Sequence, residues 1–241
     1  MPTSTPTPTV VLVHGAFADA ASWSGVIAEL QSHGIPVVAP PNPLRGLAAD
    51  AAYVASVATQ IEGPVVLVGH SYGGALITVA GTAPNVVGLV YVAAYVLEEG
   101  ESLGELQGRF PASPLVSNLK EWTYPLADGG SAAEVTITAD AFPAVFAADV
   151  PEEATKVLAV AQRPLAAGAF SEKAATAAWQ TKPSWALVAA ADNAINPEVE
   201  RFGAKRAGAT VVEVEGASHA VAVSQPKAVA SVIIEAVRAT S

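Results

Sequence analysis

The chain has no cysteine, one methionine and only four histidines among its 241 residues. Without thiols it cannot be held by disulfides, bind a metal through thiolates or use a cysteine nucleophile. Charge is also scarce: 14% of residues are charged against 51% hydrophobic, which excludes a disordered, self-repelling chain and implies extensive burial. Basic residues are the scarcer sign, 12 against 22 acidic, and the net charge of −10 repels phosphate backbones and anionic lipid. Nucleic acid and membrane are therefore not expected as partners. The Pro/Thr-rich start (1–9) lacks a basic region, and the apolar run after it is too short for a secretion signal or a membrane span. It reads as a flexible tail on a cytoplasmic protein, and no internal repeat follows it.

What is present is an alternation of short β-branched runs with longer helical stretches, the pattern of a parallel sheet covered by helices on both faces. Strands are expected at 10–13, 36–39, 65–68, 86–93, 185–189 and 210–214, and helices near 21–32, 47–61, 72–80, 197–207 and 226–239. Asn196-Pro197-Glu198 is a helix start: a capping side chain, a proline in the first turn and an acid beside it. The rhythm breaks over residues 98–183, a stretch too long for a plain loop. It holds Phe142, Phe146, Phe170 and a helical patch at 152–161. The expected organisation is thus a core of residues 1–97 and 184–241 with a helical cap, 98–183, inserted over the carboxyl edge of the sheet. An added lobe with no part in the chemistry is the alternative.

Residues 64–74, Pro-Val-Val-Leu-Val-Gly-His-Ser-Tyr-Gly-Gly, place Ser71 between an all-apolar run and a helix. Gly69-x-Ser71-x-Gly73 is the nucleophile-elbow pattern, in which small residues on either side let strand and helix pass closely. The bland alternatives are a glycine-rich turn with an incidental serine, or a phosphate loop. A Walker-type loop would end in Gly-Lys-Ser/Thr, and no lysine lies near Ser71.

A serine hydroxyl needs a base within hydrogen-bond reach and a third group to orient that base. Of the four histidines, His14 ends the first strand, where fastening a loop is its simpler role, His33 sits at a helix end and His70 is the neighbour of Ser71. His219 follows the last strand in Glu213-Val-Glu-Gly-Ala-Ser-His219, where a loop would bring it over the sheet; a solvated loop histidine is the alternative. The acid is expected at Asp192, at the end of the run starting at Trp185, with Glu98 or Glu99 as rivals. The chain order Ser, Asp, His favours Asp192. An oxyanion hole would take the Tyr72 amide and one from the Val13-to-Phe17 turn, with Ala16 first and Phe17 second. Phe17, Trp23 and Tyr95, with Phe142, Phe146 and Phe170 of the insertion, are candidate pocket walls, although an aromatic is more often simply core.

These motifs resemble the α/β-hydrolase superfamily over essentially the whole chain. Leu12-Val-His-Gly-Ala-Phe-Ala-Asp-Ala-Ala-Ser-Trp23 is similar to the oxyanion-loop segment of the branch holding plant methyl-ester esterases and hydroxynitrile lyases. The resemblance implies a sheet of about six strands in the order 2-1-3-4-5-6 with the site at the switch point between strands 1 and 3. It also implies a cofactor-free, metal-free serine esterase acting on small or medium uncharged carboxylic esters, as a monomer or homodimer. The lyases of that branch carry threonine and lysine where this chain has Gly15 and Ala220, which argues against lyase chemistry. A lyase or perhydrolase on the same residues, or a ligand receptor that keeps the pocket, are the other readings.

Overall fold

Short valine-rich runs form the central sheet because branched side chains favour extended backbone; both faces of the inner runs 9–13, 65–70, 86–92 and 184–189 are covered, while the edge runs 37–38 and 210–214 stay largely exposed. The computed structural model describes residues 6–241, so residues 1–5 of the expected tail lie outside the described residues. The strands are β1 (Thr9–Val13), β2 (Val37–Val38), β3 (Val65–His70), β4 (Val86–Val92), β5 (Leu119–Pro125), β6 (Ser131–Ile137), β7 (Leu165–Ala166), β8 (Ser184–Ala189) and β9 (Thr210–Val214). The helices are α1 (Ser24–Ser32), α2 (Leu47–Thr59), α3 (Tyr72–Ala80), α4 (Leu103–Gln107), α5 (Phe142–Phe146), α6 (Glu152–Val160), α7 (Pro197–Arg206), α8 (Val221–Ser224) and α9 (Pro226–Ala239). Strands β2-β1-β3-β4-β8-β9 form one six-stranded sheet with every pairing parallel. Counting core strands alone, this is the expected 2-1-3-4-5-6 order.

The period of two along each strand divides the core into two layers. Val10, Leu12, Val66, Val68, Val90 and Val92 pack with α1 and α9 on one face. Val11, Val13, Val65, Leu67, Leu89 and Tyr91 face α2, α3 and α7 on the other. Helix α9 offers Val229, Val232, Ile233, Ala236 and Val237 as one buried stripe at helical spacing. Helix α7 begins as its sequence requires: the Asn196 side chain accepts the Glu198 N–H at 3.0 Å and Pro197 occupies the first turn. Among the described residues, no helix is long and apolar enough to cross a membrane.

Between β4 and β8 the chain leaves the sheet. This insertion contains α4, α5 and α6, with α6 at the expected helical patch, but also an antiparallel sheet in the order β5-β6-β7. A purely helical insertion is thereby corrected to a mixed one. The reason is local: Trp122, Thr123 and Tyr124 pair with Glu134, Ala133 and Ala132, and the following turn is set by Asp128, whose carboxylate accepts the Gly130 N–H at 2.9 Å.

Candidate active site

Strand β3 runs straight into Ser71, whose backbone sits at φ 55° and ψ −121° before α3 begins at Tyr72. A non-glycine residue holds such a conformation only where its surroundings over-determine it. Here the Ser71 N–H donates to the Val92 carbonyl (3.2 Å), and the Ser71 carbonyl accepts the N–H groups of Gly74 (3.0 Å) and Tyr95 (3.3 Å). The two glycines flanking this turn are sterically required. A Cβ on Gly69 would collide with the Gly73 carbonyl, and one on Gly73 with the Val13 carbonyl of β1.

The loops after β8 and β9 are stitched side by side, the Ala190 N–H bonding to the Val214 carbonyl (3.1 Å) and the Ala191 N–H to the Ala217 carbonyl (3.0 Å). That pairing brings Asp192 and His219 together. His219 Nδ1 lies 2.5 Å from Asp192 Oδ2, and its Nε2 lies 2.8 Å from Ser71 Oγ. All three side chains are buried. The other Asp192 oxygen, Oδ1, accepts the N–H groups of Ala194 (2.7 Å) and Ile195 (2.9 Å), so the carboxylate is held at both ends. Glu98, the rival acid, instead accepts a hydrogen bond from Gln180 at the surface, and Glu99 is exposed.

The loop carrying His219 is fastened on three sides. His70 donates from Nε2 to the His219 carbonyl at 2.8 Å, and burial pushes the His70 imidazolium well below its ordinary range, which keeps that ring neutral. From the insertion, the Phe146 carbonyl accepts the Ala220 N–H at 2.8 Å, and Asp149 accepts a hydrogen bond from the Ser218 hydroxyl. The Phe146 ring stands edge-on to His219, with centroids 4.9 Å apart.

The turn after β1 is tied down by His14. Its Nε2 accepts the Asn42 N–H (2.8 Å), so the proton resides on Nδ1 and is donated to the Gly15 carbonyl (2.8 Å). Burial lowers this imidazole's pKa, which agrees with a neutral fastening role. The Phe17 N–H is taken by the Arg163 carbonyl at 3.0 Å. The Ala16 N–H makes no backbone hydrogen bond among the described residues, and the Tyr72 N–H, at the first position of α3, has no carbonyl one turn before it to bond. Of the two amides weighed on this turn, Ala16 is the one left free.

In front of Ser71 lies a small chamber of about 20 Å³, room for about one water. Ala16, Phe17, Tyr72, Tyr95, Ala194 and Ile195 of the core line one side, and Leu103, Leu115, Leu165 and Phe170 of the insertion the other. Leu115 and Phe170 also wall a roomier outer apolar groove of about 520 Å³, lined further by Phe110, Val116 and Leu119.

Three of the six expected wall aromatics, Phe17, Tyr95 and Phe170, thus reach the chamber. Trp23 does not: it closes the one-turn helix Ala20–Trp23 and is buried on the opposite face of the sheet, edge-on to His70. Phe142 stands one layer back, stacked on Phe146, and Phe146 contacts His219 rather than the chamber. Leu103, Leu115, Leu165 and Ile195 carry no signal that separates a wall from a core position. Glu200 of α7, 3% exposed and close to Asp192, is a charged neighbour not anticipated, as is Asp149. The sequence signal for Glu200 is an acid on the helix face that also buries Gly203 and Ala204, three and four residues on.

Solved structures resemble this architecture from end to end. Polyneuridine aldehyde esterase superposes with a TM-score of 0.80 at 21% identity, covering 95% of this chain and 99% of that one. A pyrethroid hydrolase from Sphingobium faniae JZ-2 gives 0.76 at 21% identity, covering 96% and 98%, and the methylesterase MES16 from Arabidopsis 0.76 at 17%, covering 96% and 99%. Such distant identities speak for the fold. No curated protein matches the chain in sequence. A family model described as the alpha/beta hydrolase family matches residues 10–232. With that match spanning nearly all of the sheet and its insertion, the chain belongs to the alpha/beta hydrolase family.

Proposed function

We propose that the protein is a serine hydrolase of carboxylic esters working through an acyl-enzyme. The observation that carries this reading is the unbroken line of hydrogen bonds from Ser71 Oγ through His219 to Asp192, buried at the foot of an apolar chamber. In this reading His219 Nε2 takes the Ser71 proton as the hydroxyl attacks the ester carbonyl, and Asp192 orients the ring and stabilises its charged form. The amides of Ala16 and Tyr72 receive the developing oxyanion; one such donor is worth about 10²- to 10³-fold in rate. His219 then returns the proton to the departing alcohol, and a water admitted to the chamber cleaves the acyl-enzyme by the same steps. No metal or cofactor is called for.

The walls argue for uncharged esters, because the chamber offers a charged group no compensating partner beyond the reacting residues. In the conformation described, the chamber is closed to anything larger than water. Leu115 and Phe170 separate it from the outer groove, so their displacement would admit substrate, with residues 98–183 acting as the cap. The ester-cleaving names of the solved relatives support the same chemistry. A serine-directed fluorophosphonate should add one label per chain, and a graded series of p-nitrophenyl esters should be hydrolysed; Ser71→Ala should abolish both. Labelling or turnover that survives this substitution refutes the assignment.

A further inference from the structure

A second carboxyl group lies directly behind the acid of this site. Glu200 projects from α7 and is 3% exposed. Its Oε2 accepts the Ala189 N–H at the end of β8 (3.0 Å), while no donor among the described residues reaches its buried Oε1. The carbonyl of the same Ala189 accepts the Asp192 N–H (3.2 Å), so both acids hang from one backbone unit and their carboxyl groups stand against one another. Two carboxyl groups can share such a contact favourably only if one of them keeps its proton.

The surroundings decide which. Asp192 is fully supplied as an anion, with two backbone N–H groups on Oδ1 and the imidazole on Oδ2. Among the described residues Glu200 has one N–H and no cation in contact; the Arg201 charge, at a distance, opposes the shift only weakly. Arg201, the next residue, points outward to Glu198 and Glu213, and Arg206, two turns along α7, is held by the Val96 carbonyl and Glu101. Tyr95, facing the pair from the segment after β4, is a neutral phenol that burial makes harder to ionise. Burial first, and the Asp192 charge second, push the Glu200 carboxyl well above the usual carboxylate range.

We propose that Glu200 is a positioning residue of this site: in its protonated form it donates an O–H···O hydrogen bond to the Asp192 carboxylate and so fixes the group that orients His219. This rests on the esterase reading only for its kinetic consequence. An amide donates in the same place, so Glu200→Gln preserves the contact, whereas Glu200→Leu removes it.

Two measurements test this. First, kcat for p-nitrophenyl acetate is followed against pH. Glu200→Gln should stay within a few-fold of the wild type near neutrality and lack the alkaline fall that ionisation of Glu200 gives the wild type. Glu200→Leu should lose about tenfold to a hundredfold in kcat, the rate equivalent of one charge-assisted hydrogen bond. Equal damage from both variants, or an alkaline limb that persists in Glu200→Gln, overturns the proposal. Second, the thermal midpoint is followed against pH, which needs no turnover. A glutamate that holds its proton in the fold but releases it near pH about 4.3 when unfolded makes the wild type lose ground to Glu200→Gln as pH rises above that value. A difference that stays flat between pH 4 and 8 overturns the proposal. If the wild type cleaves no ester but the midpoint difference grows as stated, the esterase reading falls and the protonated Glu200 stands.

Discussion

Removing one hydroxyl beside the elbow tests how the fold holds a buried charge. Tyr72, the first residue of α3, sends its phenol away from Ser71 to Asp50 Oδ2 of α2 at 2.9 Å. Asp50 is completely buried, and it also accepts the N–H groups of Arg45 (3.0 Å) and Gly46 (3.2 Å). Burial raises its carboxyl above the usual range, and the three donors oppose that shift. Tyr72→Phe removes the only side-chain donor of the three and leaves the shape almost unchanged. A hydrogen bond to a charged group contributes about 1.5 to 3 kcal/mol, so the variant should be destabilised by that amount at pH 7. For a domain of this size that is a fall of about 3 to 12 °C in Tm. The sign of the pH dependence follows. The native carboxyl binds its proton more tightly than the unfolded chain does, so stability falls as pH climbs from about 3.9 through the folded-state pKa. Without the phenol that pKa moves further up, and the penalty grows with pH in the same window. Below it, only a neutral hydrogen bond is lost, worth about 0.5 to 1.5 kcal/mol. Urea titrations at several pH values measure the difference, and in an Asp50→Ala background it should nearly vanish. A penalty independent of pH, or absent at pH 7, refutes the reasoning.

Asp192→Asn should lower kcat by about 10⁴-fold with the fold intact, because the wrong imidazole tautomer is then favoured, while Glu98→Gln should change it little; the reverse result, read from steady-state kinetics, would move the acid. Truncating Leu115 or Phe170 to alanine joins the chamber to the outer groove, so the ratio of kcat/KM for long against short acyl esters should shift severalfold to a hundredfold, the reach of about 1 to 3 kcal/mol per methylene-sized contact. An unchanged chain-length profile in both variants would place the specificity elsewhere.

The line from Ser71 to Asp192 was legible because strand ends are fixed by short apolar runs, and a parallel sheet sets all of those ends on one edge. Sequence could not orient single aromatics. Trp23 lies within the same opening motif as Phe17, yet the one-turn helix that ends at Trp23 delivers it to the other face of the sheet. The hairpin of β5 and β6 was missed because of its setting: β5 is mostly exposed and β6 only partly buried, so the buried alternation that marks a strand is weak, and the β-forming residues and the Asp128-Gly-Gly turn were the signals left to read. Glu200 was hidden by composition, since an acid in the first turn of a helix has an ordinary explanation as a partner for the helix dipole.

The insertion touches the loop of His219 at one end only, through Phe146, Asp149 and the α5 segment, while its walls at Leu103, Leu115 and Phe170 belong to other segments. For anyone diversifying this scaffold, the two regions therefore differ in kind. In the proposed reading, a library at the wall side chains Leu103, Leu115, Leu165 and Phe170 varies what is accepted, whereas substitutions at 142–149, or at Ser113, whose hydroxyl donates to the Ala194 carbonyl beside Asp192 (2.7 Å), bear on the alignment of Ser71, His219 and Asp192 as well.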